Sequence, residues 1–222
     1  MHVSEAVASR RSIRAFLDKP VDIALLRDLI ERAGRAPSGG NLQPWHVHVV
    51  SGEAMAQLKG IMRARLAEAP LGDPADYAVY PHPLGEPYRS RRFEVGEAMY
   101  APLGIPREER AARLQWFAGN WQFFGAPVGL FCYVRRDHGP PQWSDCGMFL
   151  QTLMLLLREA GLDSCPQEAW SVHHATVDAF VGALPAQMLF TGMAIGWRDP
   201  EAPVNNFEVP RAPLAEWAAF HE

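Results

Sequence analysis

The chain has 222 residues, with 21 Lys and Arg against 25 Asp and Glu, giving a formal net charge of −4. That length fits one large domain or two small ones, and buries about 70% of the unfolded surface with no disulfide or metal staple. The acidic balance speaks against a general nucleic-acid binder, and 48% hydrophobic with 21% charged residues excludes a disordered chain.

Met1 to Phe16 contains no apolar core of a secretory leader, so none is expected. Asp22 to Ala33 has helical spacing, with Ile23, Leu26, Leu29, Ile30 and Ala33 on one stripe, Asp22 as N-cap, and Gly34 and Pro37 closing it. His46 to Val50 reads as a strand ended by Ser51-Gly52, and Glu53 to Glu68 as a second helix. From Pro70 to Gly104 six prolines alternate with Tyr77, Tyr80, Tyr88 and Tyr100. This is too aromatic for a solvated linker and is expected to be a long excursion from the fold. Pro106 to about Trp121 returns to helix, and Val128 to Val134 suits a buried strand.

Ser144 to Ala160 is the clearest helix. Ser144 or Asp145 should cap it, Arg158 lies in its last turn and Gly161 stops it. Its apolar run Gly147 to Leu157, broken by Gln151 and Thr152, is too short to span a bilayer and should lie in the core. Val172 to Val181 is a shorter helix and Met188 to Ile195 another buried strand. After Asp199 the chain is proline-rich yet carries Phe207, Leu214, Trp217 and Phe220. Such an arm must bury those side chains somewhere, and the partner subunit of a dimer is a natural place. Cys132, Cys146 and Cys165 form neither a disulfide framework nor a zinc site, so a reducing cytoplasm is expected.

Four segments could hold chemistry. In Arg10-Arg11-Ser12-Ile13-Arg14, extended backbone would put Arg10, Ser12 and Arg14 on one side, where two guanidinium forks flanking a hydroxyl make a phosphate clamp. A solvated basic turn is the plainer reading. Ala36 to Trp45 joins helix to strand. Gly39 and Gly40 allow close backbone approach there, and Ser38, Asn41 and Gln43 offer hydrogen bonds, though an ordinary turn would look the same. Asp163 to Trp170 reads as a connector running past Pro166 into a helix, with free N–H groups at the helix start. Cys165 has no histidine spaced to activate it as a nucleophile. Arg211, between Pro210 and Pro213, is presented rigidly, for an anion or for a surface salt bridge. The histidines lack metal-ligand spacing, and no Rossmann, P-loop or hydrolase motif occurs.

Together, in this order, the segments resemble the nitroreductase family of FMN-dependent enzymes. The stretches are Ser9 to Phe16, Ala36 to Trp45, Gly147 to Gln151, Cys165 to Trp170, and Met193 to Trp197 with the tail to Arg211. They span nearly the whole chain. Tyr88 to Phe93 and Phe123 to Val128 resemble a branch associated with nitroaromatic compounds. Gly40 and Ala169 stand where relatives often have other small residues.

The resemblance implies an α+β fold, residues 1–222 forming one domain around a central, mainly antiparallel sheet flanked by helices. Residues 70–125 would be a lid and 199–222 an arm crossing to the other subunit of an intertwined homodimer with two FMN sites. Arg10, Ser12 and Arg211 would hold the FMN phosphate, with Arg11 assisting, and Arg14 would lie near the pyrimidine edge. Pro37, Ser38, Gly39, Asn41 and Gln43 would come from the opposite subunit. Pro166, Gln167 and Glu168 would line the ring, the Glu168 N–H toward N5. The flavin then does the redox step and no catalytic side chain is needed. NADPH or NADH would reduce it, and a nitroaromatic or quinone-like small molecule would reoxidise it, with ping-pong kinetics. The same fold also serves reductive dehalogenation, enone reduction and flavin breakdown. A flavin store or sensor without turnover is a further alternative, and RNA binding through Arg89, Arg91 and Arg92 is disfavoured by the charge. No metal and no membrane partner is expected.

Overall fold

Four strands hydrogen-bond into one fully antiparallel sheet of order β1-β2-β4-β3 in a computed structural model that describes residues 1–222. They are β1 (His46–Ser51), β2 (Val128–Arg135), β3 (Asp163–Gln167) and β4 (Gln187–Gly196). Helices α1 (Val3–Ser9), α2 (Ile23–Ala33), α3 (Gly52–Glu68), α4 (Tyr88–Tyr100), α5 (Arg110–Phe117), α6 (Pro140–Glu159) and α7 (His174–Val181) surround it.

The sheet is covered on both faces. That is why Val128 to Val134 of the inner strand β2 are all buried and do not alternate with polar residues, only the terminal Arg135 being exposed. Val128, Leu130, Cys132 and Val134 pack with Leu26 and Leu29 of α2 and Leu153 and Leu157 of α6. Phe131 and Tyr133 pack with Met55, Leu58 and Met62 of α3 and with Trp170. The register slips between Cys132, opposite Thr191, and Tyr133, opposite Leu189, leaving Phe190 as an extra residue on β4. This bulge sends Leu189 to the α3 face while Met193 and Ile195 face α6, although all three are odd-numbered. At Gly192 the backbone passes so close to the buried Trp170 ring that a Cβ would lie 2.3 Å from its Cδ1.

The expected helix at Asp22–Ala33 forms, with the Asp22 carboxylate accepting from the Ala24 N–H at 2.8 Å. Several expectations need correction. Helix α6 starts at Pro140, four residues before Ser144. Pro140 and Pro141 fill its first turn, where no N–H donor is needed, and Gln142 Oε1 accepts from Gly139 N–H at 3.2 Å. Ser144 instead donates to the Pro141 carbonyl. Asp163–Gln167 is not a connector but edge strand β3, which tolerates Pro166 because a sheet edge leaves alternate N–H groups unpaired. Helix α7 begins at His174, after a 3-10 turn over Glu168–His173. The stretch 106–121 holds only α5, then a 3-10 segment Ala118–Gly125 with Phe123 and Phe124 at positive φ. Helix α1 had no sequence signal, and α4 lies inside the proline-rich excursion. Of that excursion's tyrosines, Tyr77 packs on Trp143 and Phe190, whereas Tyr80 and Tyr88 stay exposed. Trp217 and Phe220 of the tail are 68% and 75% exposed. No helix is long and apolar enough to cross a membrane.

Candidate functional site

The segment leaving α1 is extended because its backbone is claimed by the sheet. Ile13 N–H donates to the Ser164 carbonyl at 3.0 Å, Ser12 bridges Ser164 in parallel, and Phe16 bridges Arg198. Fully buried Ile13 anchors it. The neighbouring side chains then turn outward into a cavity of about 590 Å³, lined by Arg10, Arg11, Ser12, Arg14 and, from the tail, Arg211. That volume suits a small cofactor.

Asn205 joins the two ends of the chain at this point. It is buried, and its Oδ1 accepts from Arg14 N–H at 2.8 Å while its Nδ2 donates to the Ala15 and Asp199 carbonyls at 2.8 and 2.9 Å. Asp163, at the start of β3, braces the same corner. It accepts a bidentate pair from Arg198 at 2.7 and 2.6 Å and a third bond from Arg158 at 3.0 Å.

The cavity is electrostatically unbalanced. Four guanidinium groups line it against one carboxylate, Glu208, which meets Arg11 at 3.3 Å in an exposed pair worth little. Arg14 reaches only the Ser12 carbonyl, and Arg211 only the Val209 and Pro210 carbonyls. Burial, and then the neighbouring Arg211 charge, push the Arg10 guanidinium below its ordinary pKa. Converging like charges cost free energy unless an anion joins them. The bidentate N–H fork of a guanidinium matches the geometry of a phosphate, as it does a carboxylate.

The other expected segments lie elsewhere. Gln167 is buried and its amide donates to Asn120 O and Oδ1 at 2.9 and 3.2 Å, so only its backbone is free to face a ligand. Pro166 is half-buried beside it and Glu168 is exposed at the start of the 3-10 turn. Burial raises the Cys165 thiol to about 11, which removes it as a nucleophile. Ser38 Oγ accepts from Gln43 N–H, Gly39 N–H donates to Asp145 at 3.2 Å, and Gly40, Asn41 and Gln43 take positive φ. This loop, with Pro37 exposed at its start, is not among the residues lining the arginine cavity. One chain therefore gathers Arg10, Arg11, Ser12, Arg14 and Arg211 at the cavity, but neither Pro37 to Gln43 nor Pro166 to Glu168 lines it.

Sequence reasoning gave no role to Asn205, or to Gln151 and Val95, which also line the cavity. Gln151 did carry a signal, since it interrupts the apolar run of α6.

Comparison with known proteins matches residues 7–197 to the model of the nitroreductase family. The chain is 35% identical over 225 aligned positions to nitrobenzene nitroreductase of Ectopseudomonas oleovorans, covering 99% of this chain and 97% of that protein. It superposes with a TM-score of 0.97 and 51% identity, over 100% of both chains, on the FMN and NADPH-dependent nitroreductase NfnB from sphigopyxis sp. strain HMH. It also superposes on the FMN-dependent NfnB from Mycobacterium smegmatis in complex with NADPH, with a TM-score of 0.93 and 32% identity over 99% of this chain and 98% of that one.

Proposed function

Since the chain belongs to the nitroreductase family, we propose that it is an FMN-dependent enzyme that uses NADH or NADPH to reduce nitroaromatic or quinone-like acceptors. The observation that carries this reading is the convergence of four guanidinium groups, from both ends of the chain, on one cavity with a single exposed counter-carboxylate. The donor set fits a mononucleotide phosphate. When bound, FMN supplies the two-electron chemistry, taking hydride from the nicotinamide and passing electrons to the acceptor.

The residues bind and orient. Arg10, Ser12 and Arg211, assisted by Arg11, hold the phosphate. Arg14 sits toward the pyrimidine edge, where a fixed positive charge favours the negative charge that reduction creates. Backbone at Pro166, Gln167 and Glu168 lines the ring, held by the Gln167–Asn120 hydrogen bonds. No side chain need act as an acid, since water can protonate the product. One site serving both half-reactions in turn implies ping-pong kinetics.

Pro37, Ser38, Gly39, Asn41 and Gln43 complete the site from a second subunit. In support, this loop lies apart from the arginines of its own chain. An arm over residues 199–222 leaves Trp217 and Phe220 exposed, and β1 is an open sheet edge beside apolar Ile23, Ile30 and Val49. A homodimer with exchanged arms would cover both. Residues 70–125 form the lid that selects the acceptor. Three buried free thiols suit a cytoplasmic location.

Anaerobic mixing of the flavin-loaded protein with NADPH or NADH tests the reading. Bleaching of the flavin absorbance, restored by nitrobenzoate, is the expected result, and Arg14→Met should slow the bleaching. A protein that binds FMN but is bleached by neither nicotinamide contradicts it and leaves a flavin store.

A further inference from the structure

Helix α4 carries a stripe that rises from the cavity toward solvent. Tyr88, Arg92, Val95 and Met99 recur at spacings of four, three and four and so share one face of α4. Val95 lines the arginine cavity. Arg92 is one turn further out, about 4.5 Å along the axis.

The arginines near Arg92 are differently placed. Arg89 is paired with Glu86 at 2.6 Å, Arg91 with Glu216 at 2.6 Å, and Arg113 with Glu97 at 2.6 Å. Arg92 has no carboxylate partner. Its guanidinium lies over the Tyr80 ring, 4.2 Å from the centroid. Stacking limits the rotamers of a long side chain while leaving the edges of the planar fork free to donate. The only acid next to it in sequence, Glu94, is about 160° away around the helix. Arg107 also stacks, over Phe93 at 4.9 Å, but Phe93 is about 100° round the helix from Arg92. Arg110 lacks an ion pair too, yet no residue of α5 lines the cavity.

We propose that Arg92, held on Tyr80, binds the 2′-phosphate of NADPH and so makes the enzyme discriminate against NADH. The inference rests on the reading above that a nicotinamide delivers hydride into this cavity. The two nicotinamides differ only at the ribose 2′ position of the adenosine half, far from the reacting ring. A reader of that position must lie outside the cavity yet on a surface continuous with it. An unpaired, ring-stacked guanidinium one turn beyond Val95 meets both conditions. A phosphate dianion accepts two of its N–H bonds, whereas the hydroxyl of NADH offers only a weak neutral partner.

Two measurements on the flavin-loaded protein test this. Calorimetric titration with 2′,5′-ADP and with 5′-ADP should show tighter binding of the 2′-phosphorylated compound by about tenfold or more. In Arg92→Gln that difference should vanish, in Arg92→Lys it should survive in part, and in Arg107→Gln it should be unchanged. In stopped-flow reduction, Arg92→Gln should raise the concentration of NADPH needed for half-maximal bleaching by about tenfold and leave that of NADH alone. Equal loss with both nicotinamides, an unchanged ratio in Arg92→Gln, or the same collapse in Arg107→Gln overturns the assignment. Failure of both nicotinamides to bleach wild type contradicts the enzyme reading instead, and the ADP titrations then still decide what Arg92 binds.

Discussion

Asn205 makes three hydrogen bonds that no other side chain type could make from that position. Asparagine alone offers, at one short branch, an acceptor for Arg14 N–H and two donors for the Ala15 and Asp199 carbonyls. Asn205→Ala leaves the half-buried Arg14 N–H and Asp199 carbonyl without a partner and the Ala15 carbonyl with only the Asp199 N–H, at about 1–3 kcal/mol for each group left unpaired if water does not enter. The variant should lower the unfolding midpoint and also weaken FMN binding about tenfold or more, because Arg14 loses its register. Asn205→Asp keeps the acceptor but turns a carboxylate oxygen onto the Ala15 and Asp199 carbonyls, and should cost at least as much. A loss of stability with unchanged FMN affinity would limit Asn205 to a packing role. Nothing in the sequence distinguishes it from Asn206, which bonds only to the Pro200 and Ala202 carbonyls from an exposed position. The arginines were legible because Arg10, Arg11 and Arg14 crowd into five residues of a net acidic chain, whereas the asparagine was not, because its value lies in where three distant carbonyl and amide groups meet.

His173 gives stability a pH dependence. It is buried edge-on against Trp121 at 4.8 Å, with neither ring nitrogen bonded. Burial, then the nearby Arg65 charge, lowers its pKa, which Asp73 offsets in part. The unfolded chain, with an ordinary value of about 6.5, therefore takes up a proton more readily than the folded one. The contribution of neutral His173 is complete above about pH 6.5 and is lost as pH falls from there through the lower folded value. Denaturant midpoints measured between neutral and mildly acidic pH should fall, and His173→Gln should flatten that fall. Parallel curves for the two proteins would contradict the assignment.

At the scale of elements, long periodic or apolar runs declared themselves. Helix α2, strands β1, β2 and β4, and the body of α6 lie where the spacing of Leu, Ile and Val puts them. The missed elements are those whose local signal was outvoted by the rest of the fold. Strand β3 contains Pro166 and is short, but β4 supplies its partners. Helix α4 follows a run of prolines that reads as loop. Pro140 and Pro141 read locally as a helix boundary, yet they mark the first turn of α6. Packing against β4 also fixes the segment expected to line the flavin. Trp170 lies on Gly192 and its Nε1 donates to Gln167 Oε1 at 3.4 Å, so Gly192→Ala would force the indole off the sheet and disturb Gln167. We expect a stability cost of about 1–3 kcal/mol, read by denaturant titration, and weakened FMN binding. A variant as stable as wild type would show that the Trp170 layer yields without strain.

At the scale of the whole molecule, the chain folds back so that residues about 190 apart in sequence meet at one corner. The first extended segment is sewn to the sheet by Ile13 and to the tail by Asn205, and the Asp163 network with Arg158 and Arg198 fixes the junction. Sequence alone could set Arg10 and Arg211 side by side only through family likeness, since no local pattern links the ends of a chain. This closure gathers four guanidinium groups at one cavity beside a single exposed carboxylate, Glu208, in a protein whose overall charge is −4.

The central claim is that this charge is there for a phosphate. Fluorescence titration of flavin-stripped protein with FMN and with riboflavin, which differ only by that phosphate, tests it most directly. The account predicts that wild type binds FMN at least about a hundredfold more tightly than riboflavin, that the difference shrinks as salt rises, and that Arg10→Ala with Arg211→Ala abolishes it. Equal affinity of wild type for FMN and riboflavin would contradict it.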